Sequence, residues 1–418
     1  MEFVSDSKEW MPPEERQRYL NEGLRKLVQQ SYQSVPAVKA ILDRAGIQPS
    51  EIRTIEDLEK VPVTRKDDFV KLQRENPPFG GFLGKPMESL KRISMAPGPT
   101  YIPELVASSF ARLFYGAGYR QGDRVIVTFN YHLGPGGLCV DDALELMGIT
   151  IINGGVGNTE LQVQVMRELK VTGFVGTPSF LMTVIQTAER LGYDFRRDFE
   201  IKRAMFSAEP LTPSVRRTLE EDYGIDTCQW YGLVEVGIIG YDCSAKSGMH
   251  FGEDMIVELI DHETGKHVGP GQSGEIVATP LEGTLPLLRY GTGDLSSYTE
   301  EPCPCGRTSY RLLRVMGRVG DAVKVRGLYV HARQVEEVVS KFPELSKAQI
   351  VINRVGHRDE MTLRVELEDE SADKDKLLKA IHESIRGICR VRADKVDFLS
   401  KGTIPEEYKK VEDQRTWE

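Results

Sequence analysis

Between Arg124 and Trp230 the chain repeats one theme: a short, β-branched apolar run, a small or polar break, then a stretch of helical period. Arg124–Phe129 (RVIVTF), Ile149–Ile152, Gly173–Gly176, Arg203–Ser207 and Thr227–Trp230 read as strands. Helices are expected from the glycine-rich loop after Phe129 to Met147, over Glu160–Leu169 behind a Thr159 cap, from Pro178 to near Gly192, and from near Thr212. Strands that are apolar throughout and separated by helices have both faces covered. The expected class is therefore α/β, with a largely parallel sheet flanked by helices. Open sheets of this kind bind ligands beyond the carboxyl ends of their strands. The residues there are Tyr131-His132, Gly154-Gly155, Ser207-Ala208-Glu209-Pro210 and Tyr231-Gly232, with Glu235 shortly after. His132 reads equally well as a solvent-exposed loop residue.

Flanking segments differ in pattern. Pro12-Pro13 opens a helix whose Leu20, Leu24, Leu27 and Val28 form one stripe, and further helices are expected near Val35–Ala45 and after Thr54. These read as a helical collar on the core. Leu58–Asp68 and Asn76–Phe82 read as loops, and Lys91–Pro103 (KRISMAPGPTYIP) reads as a turn. A helix is expected over Glu104–Gly118. After Asp254 the pattern turns to period two with glycine-rich turns, which predicts a β-rich subdomain over about 251–317. Beyond it, a helix at His331–Val339, strands AQIVINR and MTLRVELE, a helix at Lys374–Ile388 and a strand at Lys395–Phe398 predict a small α+β domain. The expected division is a large domain, 1–317, and a small domain, 318–418.

Composition restricts the function. A chain of 418 residues with 54 basic and 63 acidic side chains carries a net charge of −9. Such a chain is a poor general partner for nucleic acid or an anionic membrane. No stretch approaches the ~18 apolar residues of a membrane span, and the first ten residues lack the pattern of a secretory signal. Six cysteines in this length are too few for a disulfide scaffold. The expected setting is soluble and cytoplasmic, with Cys303-Pro304-Cys305 as metal-ligand thiolates. Cys243 and His250, with six residues between them, are the candidate partners. The charge argues against a zinc ribbon for nucleic acid. Cys139, Cys228 and Cys389 lie inside expected regular elements and read as core residues.

YGLVE at Tyr231–Glu235, then C-x6-H, then Gly252-Glu253-Asp254 resemble the phenylacetate–coenzyme A ligase family of adenylate-forming enzymes, and the resemblance extends over nearly the whole chain. It implies an acyl-CoA ligase for an aromatic or other small carboxylic acid, using ATP, Mg²⁺ and coenzyme A and releasing AMP. Tyr131, His132, Gly154 and Gly155 match the family's acyl pocket. Ser207, Ala208, Glu209, Pro210, Tyr231, Gly232 and Thr100 match nucleotide-binding positions. Asp294 of YGTGD matches the aspartate that holds both ribose hydroxyls, and Arg318 matches an ATP-contacting arginine. Glu235 matches the Mg²⁺ carboxylate, Gly320 the domain hinge, and Lys410 the lysine that acts in adenylation, with Lys409 beside it. Cys243, His250, Cys303 and Cys305 match a structural zinc site in several relatives, and the resemblance suggests a homodimer.

In one place the resemblance is damaged. The family's Ser/Thr/Gly-rich phosphate loop ends in Gly-Lys-Pro. This chain keeps Gly98, Thr100 and Pro103, but has Ala96 and Pro97 for serines and Pro99, Tyr101 and Ile102 for threonine, glycine and lysine. Each proline removes a backbone donor, and Ile102 removes a cation. A second expectation follows: a catalytically impaired homologue that binds AMP or acyl-adenylate better than ATP.

Overall fold

A computed structural model describes residues 7–416 apart from 97, 263, 273, 320–322, 327, 331, 370–372 and 390. It divides into two compact units: Met1–Leu211 with Arg216–Val319, and Gly320–Glu418 with Thr212–Val215. The expected hinge at Gly320 and the helix start at His331 lie outside the described residues.

In the first unit all the described strands except those of a separate hairpin at 93–103 join into one hydrogen-bonded sheet. Their order is Thr150–Asn153, Arg124–Val127, Gly173–Gly176, Arg203–Phe206, Asp226–Leu233, Gly237–Asp242, Met249–Phe251, Arg311–Arg318, Tyr290–Thr299, Gly274–Pro280 and Met255–Ile260. Thr64–Arg65 adds beside Tyr290. The first five strands are parallel, and the rest of the path is antiparallel. Two cores result. Phe110, Phe114, Val140 and Leu144 from helices cover Val125, Val175, Met205 and Trp230 of the parallel part. Leu24, Val28, Leu42 and Phe69 cover Ile256, Leu259, Ile276 and Tyr290 of the antiparallel part. The collar helices Pro13–Ser34 and Pro36–Ala45 thus serve the β-rich segment.

The chain preceding the first helix is tied into this second core. Lys8 Nζ donates to Asp254 Oδ1 at 2.7 Å, and Arg307 donates to Glu9 Oε1 at 2.9–3.0 Å. Trp10 lies against Gly306.

Four sequence readings change. The supposed loop at Leu58–Asp68 ends in a helix, Lys66–Glu75, which buries Phe69, Val70 and Gln73. The segment Lys91–Pro103 is a hairpin, with Ile93–Ala96 paired to Thr100–Pro103. The helix at 159 is preceded by Asn158 in the left-handed region, without a side-chain cap, so Thr159 is its first residue and not its cap. The strand expected to break at Tyr231-Gly232 continues to Leu233 across a register shift at that point. A Cβ on Gly232 would lie 2.4 Å from the Gly237 carbonyl oxygen, so only glycine lets the two strands close there.

The second unit is a four-stranded sheet in the order Lys395–Leu399, Arg358–Leu367, Leu345–Val355, Val411–Asp413. Helices Ala332–Ser340 and Lys374–Cys389 pack Val335, Val338, Ile381 and Ile385 onto its Ile350 and Leu363.

Candidate active site

Three residues from separate strands meet in the first unit. Tyr231 hydroxyl donates to Asp294 Oδ2 at 2.7 Å, and Arg318 Nε donates to Asp294 Oδ1 at 2.8 Å. Asp294 and Arg318 are paired across neighbouring strands, which sets their side chains on one face. Arg318 also donates to the Thr292 carbonyl at 2.8 Å, and Val319 N–H to Gly293 at 2.8 Å. The carboxylate is 5 % exposed, so it is desolvated and fixed. A carboxylate with one donor on each oxygen keeps further lone pairs for vicinal hydroxyls.

Glu235 lies in the turn between Asp226–Leu233 and Gly237–Asp242. It is buried and lines a cleft with Ile102, Glu104, Phe110, Glu253 and Asp254. Lys66 Nζ sits 3.0 Å from Glu235 Oε1, an ion pair by distance without hydrogen-bond geometry at that oxygen. A buried carboxylate oxygen with unused lone pairs fits a divalent cation. The neighbouring acids split. Burial pushes Glu253 up from the ordinary carboxylate range. Burial also opposes ionisation of Asp254, but bonds from Lys8, Tyr19 and Arg112 outweigh it and hold that group down.

At the strand ends, Ser207 N–H donates to Gly176 at 3.1 Å, Glu209 accepts from Ser179 N–H at 3.4 Å, and Ala208 has φ +71°. A left-handed alanine is strained, and such strain gathers where backbone groups face ligands; Pro210 follows, exposed. The Tyr131 ring lies over Gly137 and Gly155. Its hydroxyl is fixed by Asp141 and Asn153 at 2.8 Å each. Gln162 donates to the Gly154 and Gly155 carbonyls at 3.0 Å. Tyr131, Gly154 and Gly155 are therefore brought together, while His132 is exposed.

The hairpin at 93–103 contrasts with these parts. Ile102 and Ala96 are buried, and Thr100 is fully buried with its hydroxyl unbonded among the described residues. Pro97 lies outside the described residues.

Cys243, His250, Cys303 and Cys305 place their ligand atoms within 4.8 Å of one another. The Cys243–Cys303 sulfurs are 3.6 Å apart, and Cys305 Sγ is 3.4 Å from His250 Nε2. Metal–sulfur bonds of about 2.3 Å in a tetrahedron require edges near ~3.7 Å. His250 Nδ1 faces the Ser309 carbonyl at 3.0 Å, which fixes that nitrogen as donor and leaves Nε2 its lone pair. Burial lowers the His250 value to about 4, keeping the ring neutral. This set fits Zn²⁺. In the second unit Lys410 Nζ pairs with Glu336, beside the strand Val411–Asp413. Lys409 is exposed.

Two family models match this chain: AMP-binding enzyme over residues 147–279 and AMP-binding enzyme C-terminal domain over 327–415. The phenylacetate-coenzyme A ligase of Thermus thermophilus is 33 % identical over 95 % of this chain and 94 % of its own. That of Escherichia coli is 32 % identical over 90 % and 86 %. Among solved structures, 2-hydroxyisobutyryl-CoA ligase in complex with 2-HIB-AMP and CoA superposes with a TM-score of 0.90. It is 27 % identical and is matched over 98 % of this chain and 92 % of its own. Fold and relatives together define an AMP-forming carboxylate–CoA ligase. Within that class, the chain belongs to the phenylacetate–coenzyme A ligase family.

Sequence reasoning passed over Lys66, because it read the start of that helix as loop. The signal available was the run KDDFVKLQ, with acids in the first turn and Phe69, Val70 and Gln73 on one face.

Proposed function

We propose that the protein activates a small carboxylic acid, aromatic in preference, as its adenylate and transfers the acyl group to coenzyme A. The observation that carries this reading is the Tyr231–Asp294–Arg318 cluster, whose Tyr231 lies on the strand that leads into the Glu235 turn. In the first step a carboxylate oxygen attacks the α-phosphorus of ATP, and pyrophosphate leaves. Asp294 accepts from the ribose hydroxyls, and Arg318 sets its orientation. Ser207–Pro210 and Tyr231-Gly232 present backbone to the adenine. Tyr131, with Gly154 and Gly155, bounds the acid; His132 borders it. Glu235 is the residue that would hold Mg²⁺, which supplies charge stabilisation to the leaving phosphates. Lys410 neutralises the acyl and phosphoryl oxygens. In the second step the coenzyme A thiol attacks the acyl carbon and AMP leaves, with Gly320 as pivot of the small domain. Cys243, His250, Cys303 and Cys305 would hold a closed, structural zinc. Six free cysteines suit a reducing cytoplasm, and the assembly is a homodimer. Among the described residues no helix is long and apolar enough to cross a membrane.

A second reading has its own observation. The hairpin with buried Ile102 and Thr100 favours a homologue that binds AMP or acyl-adenylate and turns over poorly. Pyrophosphate release with ATP across a panel of aromatic and short-chain acids decides between them. Release with at least one acid supports the ligase, and none with any acid, alongside AMP binding, supports the second reading.

A further inference from the structure

The hairpin that replaces the phosphate loop has no cation of its own, and one helix face supplies its neighbours. Lys66, Val70 and Gln73 lie at i, i+4 and i+7 of Lys66–Glu75, on one stripe. Gln73 bonds Tyr101 in both directions, Nε2 to the carbonyl at 2.9 Å and the Tyr101 N–H to Oε1 at 2.7 Å. Val70 and Lys66 approach Gly98, at 3.3 Å and 3.6 Å from the place a Cβ would take. The helix therefore runs along the hairpin, with its lysine at the turn end. Lys66 is partly exposed at 22 %, whereas Glu235, its 3.0 Å neighbour, is 1 % exposed.

From this geometry we infer that Lys66 is the polyphosphate-binding cation of this enzyme, placed by a helix where the loop itself has an isoleucine. The inference rests on the proposed ligase reading for where the phosphates lie. In the ligand-free protein Lys66 neutralises Glu235, a carboxylate too buried to stand alone. Were that carboxylate to hold Mg²⁺, the Lys66 ammonium would turn to the β- and γ-phosphates. A charge-assisted bond to phosphate oxygen at this position restores what the prolines and Ile102 removed. AMP has no β- or γ-phosphate and gains nothing from it.

The test measures binding of MgATP, magnesium pyrophosphate and AMP by calorimetry, at saturating Mg²⁺ so that Glu235 keeps a cation. Wild type, Lys66→Gln and Lys66→Arg are compared. Lys66→Gln is expected to weaken MgATP and magnesium pyrophosphate about tenfold or more. AMP should stay within about twofold, and Lys66→Arg should recover most of the loss. Equal weakening of all three ligands would make Lys66 a structural support for Glu235 and overturn the inference. So would unchanged binding in Lys66→Gln, or a wild type that binds no pyrophosphate. If no acid in the panel releases pyrophosphate while its binding still depends on Lys66, the ligase reading falls and this assignment stands.

Discussion

The nucleoside grip and the phosphate hairpin lie in the same unit and are built on opposite lines. At the grip, two polar side chains from two other strands lock one buried carboxylate. At the hairpin, Ala96 and Ile102 turn inward and Thr100 buries an unbonded hydroxyl. A buried isoleucine contributes roughly 1.5–3 kcal/mol through burial, so the hairpin is stabilised as a piece of core and not as a bed for anions. The contrast teaches that, on the proposed ligase reading, recognition of ATP is divisible: the residues assigned to adenosine monophosphate form a closed polar cluster, and the hairpin assigned to polyphosphate does not.

The largest expected effect is on the grip. Asp294→Ala should weaken AMP about a hundredfold, roughly 2.7 kcal/mol, because two ribose hydroxyls lose a charged acceptor and Arg318 loses its carboxylate partner. Calorimetry with AMP measures it; retained affinity would dissolve the contrast. Next comes Lys410→Ala, expected to slow adenylation about a hundredfold or more while leaving thioester formation from supplied acyl-adenylate near wild type. Single-turnover assays of the two half-reactions separate these, and an equal loss in both would remove Lys410 from its role. A fully active variant would move it to Lys409.

A third outcome concerns the metal. Chelation should lower the melting temperature by about 5 °C and weaken AMP in the same titration, since the four proposed ligands join the turn at Cys243 to the loop between Tyr290–Thr299, which carries Asp294, and Arg311–Arg318. Fewer than about 0.2 zinc equivalents in protein purified without added metal would defeat the assignment. Fourth, ATP should bind no more than about tenfold tighter than AMP, 1.4 kcal/mol. A wider gap that survives Lys66→Gln would show that the hairpin grips phosphate after all.

The smallest effect tests the support behind the grip. His267 Nε2 meets Glu258 Oε1 at 2.6 Å, and Glu258 pairs with Arg289 at 3.0 Å, ahead of Tyr290–Thr299. The bond to Glu258 raises the His267 value above 6.5, against the pull of burial. The resulting stability is fully present below pH 6.5 and is lost as pH rises through the folded-state value. Melting scans should fall by about one or two degrees across that window. His267→Gln should flatten the slope, and an unchanged slope would assign it elsewhere.

Much of this was legible from the chain because apolar period and glycine position are local signals. Gly173–Gly176 reads as a strand from its own four residues, and so do the strands around Ile350 and Leu363. Asp294 was found through resemblance; its partner Tyr231 is distant in sequence, and no local pattern joins them. The Lys66 helix was missed because Pro62 and Thr64 precede it and its buried face is only three residues wide. The hairpin reads as a turn because Pro97-Gly98-Pro99 dominates its sequence, while the bonds that hold it, from Gln73 to Tyr101, are tertiary.

The clasp at the start of the chain also constrains synthesis. Glu9 meets a partner 298 residues later, at Arg307, and Lys8 meets Asp254 246 residues later. At 5–20 residues per second a ribosome delivers that partner about 15–60 s after Glu9 emerges. Until Met255–Ile260 and Gly274–Pro280 follow, Leu24, Val28 and Leu42 on the first two helices have no sheet to cover, and the nascent collar is an apolar surface awaiting its core.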